Sequence, residues 1–252
     1  MKIAQQFKTF WSCLGFLSIV PAGRDYILSP EEFGRFPAFY PLVGFVFGLD
    51  MFILWLLTAA VVPPRAAALA VVVFLIIVNR GFHIDGLADA ADALLSHKSH
   101  EDKLRILKDS RQGTFGVLAI VFDVLIKVEF VALVAPEAPW MLIMWPVWGR
   151  LAASISAVRG DYAGQDNGLG RWMVEKSTTR ELFYAGLFTL AVSAFGSWMG
   201  LFAALSAIMS GFILVQIWKN SLGGVTGDLL GASIELTEIV TIVIFYILIS
   251  LT

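Results

Sequence analysis

Runs of about twenty apolar residues recur along this chain, a pattern that a water-soluble fold cannot absorb but a bilayer can. Seven candidate spans are read at about 36–62, 65–82, 113–135, 138–158, 182–198, 199–218 and 234–251. Of the 252 residues, 58% are hydrophobic and only 15% are charged, far from the balance of an ordinary soluble domain. The expectation is an all-α, polytopic integral membrane protein: one transmembrane domain over residues 1–252, with the lipid bilayer as its solvent. A net charge of −2 offers nothing to nucleic acid. The lone Cys13 excludes an internal disulfide framework.

The N-terminal segment has the charge-then-apolar shape of a leader. Its apolar part, Phe10–Val20, is interrupted by Ser12, Cys13, Gly15 and Ser18, so the reading adopted is a short interfacial or re-entrant helix ending at Pro21. Pro63-Pro64, Pro136 with Pro139, and "GSWMG" at 196–200 predict tight turns between consecutive spans. Three longer connections remain, at about 83–112, 159–181 and 219–233. Lys98, Lys103, Arg105, Lys108 and Arg111 fall in the first, and Arg159, Arg171, Lys176 and Arg180 in or beside the second. Cationic loops stay on the cytoplasmic side, so all three long loops are expected there and the C-terminus outside.

The stretch "HIDGLADAADALL", 83–95, sets Asp85, Asp89 and Asp92 directly after an oily run. At about 100° per residue these three acids share an arc of about 60° on one helical face. Like charges so arranged repel, and more strongly near a low-dielectric boundary, so a cation should compensate. Oxygen ligands favour a hard ion such as Mg²⁺, which takes one or two carboxylates plus substrate phosphates. A solvated acidic helix start explains Asp85 well but not Asp92. Gly86, Ala88, Ala90, Ala91 and Ala93 keep this helix thin enough for close approach. His83 is open to three roles: orienting a carboxylate, ligating, or accepting a proton. His97 and His100 read as solvated loop residues.

Two further constellations share the same side. "KDSRQGTFG", 108–116, puts Lys108 and Arg111 before a glycine-rich helix entry, with Thr114 as hydroxyl donor or cap. That pattern suits a phosphate group at a helix N-terminus, although a positive-inside anchor with a cap reads the same way. Asp109 is either a further ligand or a partner for Arg111. In "NSLGGVTGDLLGASIELTEI", 220–239, Asp228 and Glu235 lie seven apart on one face, with Glu238 close by and glycines predicting a broken helix end. Within the spans, Asp123 and Lys127 at i, i+4 predict a structural ion pair, Arg150 is placed to face the site, and Asp50 and Glu129 stand out.

Acids that hold a cation beside a basic, glycine-rich strip suit transfer chemistry on a pyrophosphate. Residue spacing leaves three classes open: an alcohol phosphotransferase of the CDP-alcohol kind, an aspartate-rich prenyltransferase and a cation-coupled transporter. "FHIDGLADAADALL" followed by "KDSRQGTFGVLAIV" resembles the signature of the cobalamin synthase (adenosylcobinamide-GDP ribazoletransferase) family. "FYPLVGFVFG", "WGRLAA" and "LGGVTGDLLGASIELTEI" extend the resemblance in order over essentially the whole chain, with Arg80-Gly81-Phe82 a mild variation before His83. The resemblance implies a Mg²⁺-dependent transferase in the bacterial inner membrane, its active site facing the cytoplasm. Its substrates would be adenosylcobinamide-GDP and α-ribazole or α-ribazole 5′-phosphate, with GMP released. On this reading Asp85, Asp89 and Asp92 bind metal, Lys108 and Arg111 hold the pyrophosphate, and Asp228 and Glu235 form a second metal or nucleotide set. One of the acids, or His83, is the base. A second copy of the chain and other nucleotide-loop enzymes are the further partners it admits.

Overall fold

A computed structural model describes residues 3–23, 26, 28–109, 111–164 and 168–252. Among them are twelve helices and no strand. They are α1 (Ile3–Phe16), α2 (Pro30–Phe33), α3 (Phe36–Ala59), α4 (Pro64–Val78), α5 (Phe82–Leu95) and α6 (His100–Ile106), followed by α7 (Thr114–Val134), α8 (Met141–Arg159), α9 (Leu169–Glu175), α10 (Thr179–Ala194), α11 (Ser197–Leu222) and α12 (Gly227–Ser250). The all-α expectation holds. The N-terminal helix is present and stops at Phe16, five residues before Pro21.

Helix α8 is the axis of the bundle. It packs on α3 most extensively, then on α12 and α11, and Trp145, Trp148, Arg150 and Leu151 are buried along it. Large apolar side chains instead stay exposed on the outer faces of α3, α7, α10 and α11, among them Leu57, Leu125, Phe183, Leu187 and Phe212. In water such a surface would drive association; in a bilayer it is the lipid-facing belt.

The count of seven spans exceeds what the helices deliver. By length and composition, α3, α8, α11 and α12 can cross a membrane, and α4 with α5 makes a bent fifth candidate. At about 1.5 Å per residue, α4 with 15 residues and α10 with 16 fall short of a core about 30 Å thick. Helix α7 has 21 residues but carries Asp123, Lys127 and Glu129.

The bend that follows α4 sets up everything downstream. Arg80 and Gly81 both take positive φ, 58° and 69°, and the chain turns by 87° between α4 and α5. Glycine adopts that conformation without a Cβ penalty. Helix α5 therefore runs nearly at right angles to α4 and packs against α12 and α7. Gly86 permits the α5–α12 contact, because a Cβ there would fall on the carbonyl oxygen of Asp228.

Candidate active site

The three aspartates of α5 do share one face, but they divide the work. Asp92 accepts from the backbone N–H of Gly113 at 2.7 Å through Oδ2 and of Gly116 at 2.9 Å through Oδ1. It caps the otherwise unsatisfied first turn of α7 from outside. Gly113 is the N-cap residue of α7, and neither it nor Gly116 has room for a Cβ beside the Asp92 carboxylate. Thr114 is the first helical residue, exposed, and does not cap. The expected capping role of Thr114 thus passes to Asp92.

Asp85 and Asp89 converge instead. Gln112, just ahead of the capped turn, donates through Nε2 to Asp85 Oδ1 at 3.2 Å and to Asp89 Oδ1 at 3.3 Å. Two carboxylates thus meet at one donor. Burial, and then the negative charges of Asp85 and Asp228, push the Asp89 carboxyl up to about 6. Among the described residues no three His, Cys, Asp or Glu side chains form a ready metal cluster. A pair fits a Mg²⁺ ion that completes its shell with water and substrate phosphates.

Two adjoining hollows meet at Gly170, Gly227 and Asp228. The larger, about 540 Å³, is a cleft lined by Glu101, Arg105 and Lys108 on one side, and by Tyr162, Gly168, Gly170 and Thr226 on the other. The smaller, about 200 Å³, is lined by His83, Asp85, Asp228, Tyr40 and Met173. The far wall of the larger cleft holds because loop 161–163 is stitched to the α11–α12 turn: Val225 N–H donates to the Asp161 carbonyl at 2.7 Å, and Ala163 N–H to the Val225 carbonyl at 3.1 Å. Thr226 then caps α12 through its side chain and delivers Asp228 in the first turn.

Lys108 reaches the cleft, but Arg111 does not. Arg111 clasps Asp109 at 2.8 and 3.0 Å, an exposed pair within the loop, and it holds the Asp109 carboxyl down at about 2. Asp109 is thus the partner of Arg111. Glu235 also leaves the expected site. It sits two helical turns deeper on α12, where Lys127 of α7 salt-bridges it, Glu238 at 2.9 Å and Asp123 at 3.2 Å. Arg150 joins this buried network at 3.5 Å from Glu238 and donates to Asn79 Oδ1 at 2.9 Å. The predicted Asp123–Lys127 pair is therefore present, within a larger set. Glu129 pairs with Arg65 on the exposed surface at 2.6 Å.

His83 joins the two assemblies. It is buried, lines the smaller hollow beside Asp85, and stands 3.9 Å from Glu235 through Nδ1. Burial, then the cations Arg150 and Lys127, hold its pKa below the usual value. Sequence reading missed Gln112, Arg105, Tyr162 and Thr226. Of these only Gln112 carried a signal, as the polar residue next to the glycine entry of α7.

The model of the cobalamin-5-phosphate synthase family matches residues 9–246. Among similar proteins, an adenosylcobinamide-GDP ribazoletransferase of Acinetobacter baumannii (strain ACICU) is 36% identical over 94% of this chain and 96% of its own length. Proteins with the same name from Clostridioides difficile (strain 630) and Acetivibrio thermocellus are 32% and 30% identical, over 96% and 93% of this chain and 98% and 95% of their own lengths. No solved structure matches. With a match that runs nearly end to end and takes in the acidic helix, the capped entry of α7 and the α12 start, the chain belongs to the cobalamin-5-phosphate synthase family.

Proposed function

We propose that the protein joins adenosylcobinamide-GDP to α-ribazole, or to α-ribazole 5′-phosphate, on the cytoplasmic face of a bacterial inner membrane. A ribose hydroxyl of the ribazole attacks the phosphorus bound to cobinamide. The new P–O bond forms as the pyrophosphate P–O bond breaks, and GMP leaves. The observation that carries this reading is the family match over residues 9–246, whose span includes the Asp85 and Asp89 carboxylates that both accept from Gln112.

The residues derive their parts from where they stand. Asp85 and Asp89 would hold Mg²⁺, which when bound neutralises charge on the pyrophosphate. Lys108 and Arg105, on the wall of the cleft, offer cations to the nucleotide phosphates. Asp92 keeps Gln112 and the start of α7 in register with the carboxylate pair. His83, lining the smaller hollow with Asp85, takes the hydroxyl proton on its imidazole, with Glu235 3.9 Å from its Nδ1. Asp85, Asp89 and Asp228 stand apart from the deeper acids Asp123, Glu235 and Glu238, which Lys127 already neutralises, and this favours transfer chemistry over cation-coupled transport.

The test is purified protein in lipid bilayers with adenosylcobinamide-GDP, α-ribazole and Mg²⁺. GMP and the joined corrinoid should appear in equal amounts, and omission of either organic substrate should stop both. GMP released equally without α-ribazole would point to a hydrolase instead.

A further inference from the structure

Away from the acidic helix, α1, α3 and α10 line a third hollow of about 300 Å³. Phe39 and Leu42 of α3 and Phe188 of α10 line it, and Arg35 and Arg180 stand at its mouth. Arg35 is the N-cap residue of the spanning helix α3, and Arg180 lies in the first turn of α10. Leu42 and Phe188 follow their arginines by seven and eight residues, which at 1.5 Å per residue is about 10–12 Å deeper along each helix. The hollow is therefore cationic at the level where α3 enters the bilayer and apolar below it.

Neither arginine is held in contact with a carboxylate among the described residues, although the charge of Arg35 helps to lower the exposed Glu31 carboxyl. Arg35 Nη1 is shielded from water and has no hydrogen-bond acceptor, and Arg180 lies over the Tyr184 ring, 5.6 Å from its centroid. No salt bridge involves either arginine among the described residues. The carboxylate in the hollow, Glu181, is committed to the start of α10, where its Oε2 accepts from Thr178 N–H at 2.9 Å and Thr178 Oγ1 at 2.6 Å. Glu31, outside it, faces Lys176 at 3.9 Å. A buried guanidinium donor with nothing to donate to calls for an acceptor.

We infer that this hollow binds an anionic phospholipid of the leaflet on the active-site side, its phosphate on Arg35 and Arg180 and one acyl chain along Phe39, Leu42 and Phe188. The charge and the apolar depth select this occupant together. A zwitterionic lipid would bring its own cation toward the two arginines, and a free phosphate would leave the apolar floor unused. Because Gln6 of α1 also lines the hollow, the lipid seals the amphipathic N-terminal helix against α3 and α10.

The experiment uses the full-length protein, delipidated in detergent, with phosphatidylglycerol, phosphatidylcholine of identical acyl chains, and inorganic phosphate as separate probes, read by native mass spectrometry. Phosphatidylglycerol should be retained over phosphatidylcholine on the order of tenfold, the scale set by two basic residues at a membrane surface. Arg35→Gln with Arg180→Gln should erase the preference, while Arg65→Gln, in the first turn of α4 and outside the hollow, should leave it intact. Should the double variant fail to fold, a phosphatidylglycerol bearing a diazirine in its acyl chain decides the matter on the unmodified protein. Crosslinks at residues 38–42 and 184–188 support the site. Equal retention of the two lipids, crosslinks confined elsewhere, or inorganic phosphate competing away the bound phosphatidylglycerol overturns it.

Discussion

Asp85, Asp89 and Asp92 are alike in sequence and unlike in use, and the difference comes from what faces each one. Asp92 meets two backbone N–H groups and becomes a cap. Asp85 and Asp89 meet a single side-chain amide, which leaves them room for a cation. The 4-then-3 spacing announced a shared face, but an amide donor arriving from residues 112–116 is invisible to spacing. The raised carboxyl of Asp89 makes this testable through stability. Its pKa stands at about 6 in the fold, above the ordinary aspartate value of 3.8. A raised carboxyl pKa stabilises the folded state at pH below the unfolded value, and that contribution is lost as pH rises through the folded value. The metal-free protein should therefore lose thermal stability between pH 4 and 6 relative to Asp89→Asn. Mg²⁺ should raise the melting temperature of the wild-type protein above pH 6 and do little below it. Identical pH curves for the two proteins would remove Asp89 from the pair.

At the scale of elements, the site depends on α5 lying across the bundle and on α12 carrying acids into it. The turn at Arg80-Gly81 provides the first, and the buried network on Lys127 supports the second by neutralising Glu235 and Glu238. Lys127→Met would strand three acids among apolar neighbours and should cost about 3–5 kcal/mol, seen as a lower unfolding midpoint in mixed detergent–SDS micelles. Adding Glu235→Gln and Glu238→Gln should recover much of that loss. No recovery would mean that Lys127 acts through packing rather than charge. Lys127 with Asp123 was legible as an i, i+4 pair. Glu235 was misassigned for a physical reason: seven residues along a helix is about 10 Å of depth, so residues on one face of α12 reach different surroundings. The count of spans failed in the same way, since hydropathy registers apolar runs but not the length at which α4 and α10 stop.

For the whole molecule, the all-α membrane class and the clustering of site elements at one end were both readable. The first follows from recurrent apolar runs and the second from basic residues gathered in the long loops. The cleft itself was not, because it is walled by residues 162–164, 168 and 170 and by the α11–α12 turn, which carry no periodicity and are joined by backbone hydrogen bonds. The central claim is that one carboxylate pair on α5 carries cation-dependent transfer at this end of the bundle. It is tested most directly by Mg²⁺-dependent GMP release from adenosylcobinamide-GDP and α-ribazole, comparing wild-type protein with Asp85→Asn and Asp89→Asn in the same bilayers. The account predicts release by the wild type and a loss of at least about a hundredfold in each variant, on the scale of removing a charge-stabilising group from an active site, with both variants folded. Undiminished release from either variant, or none from folded wild-type protein, would contradict it.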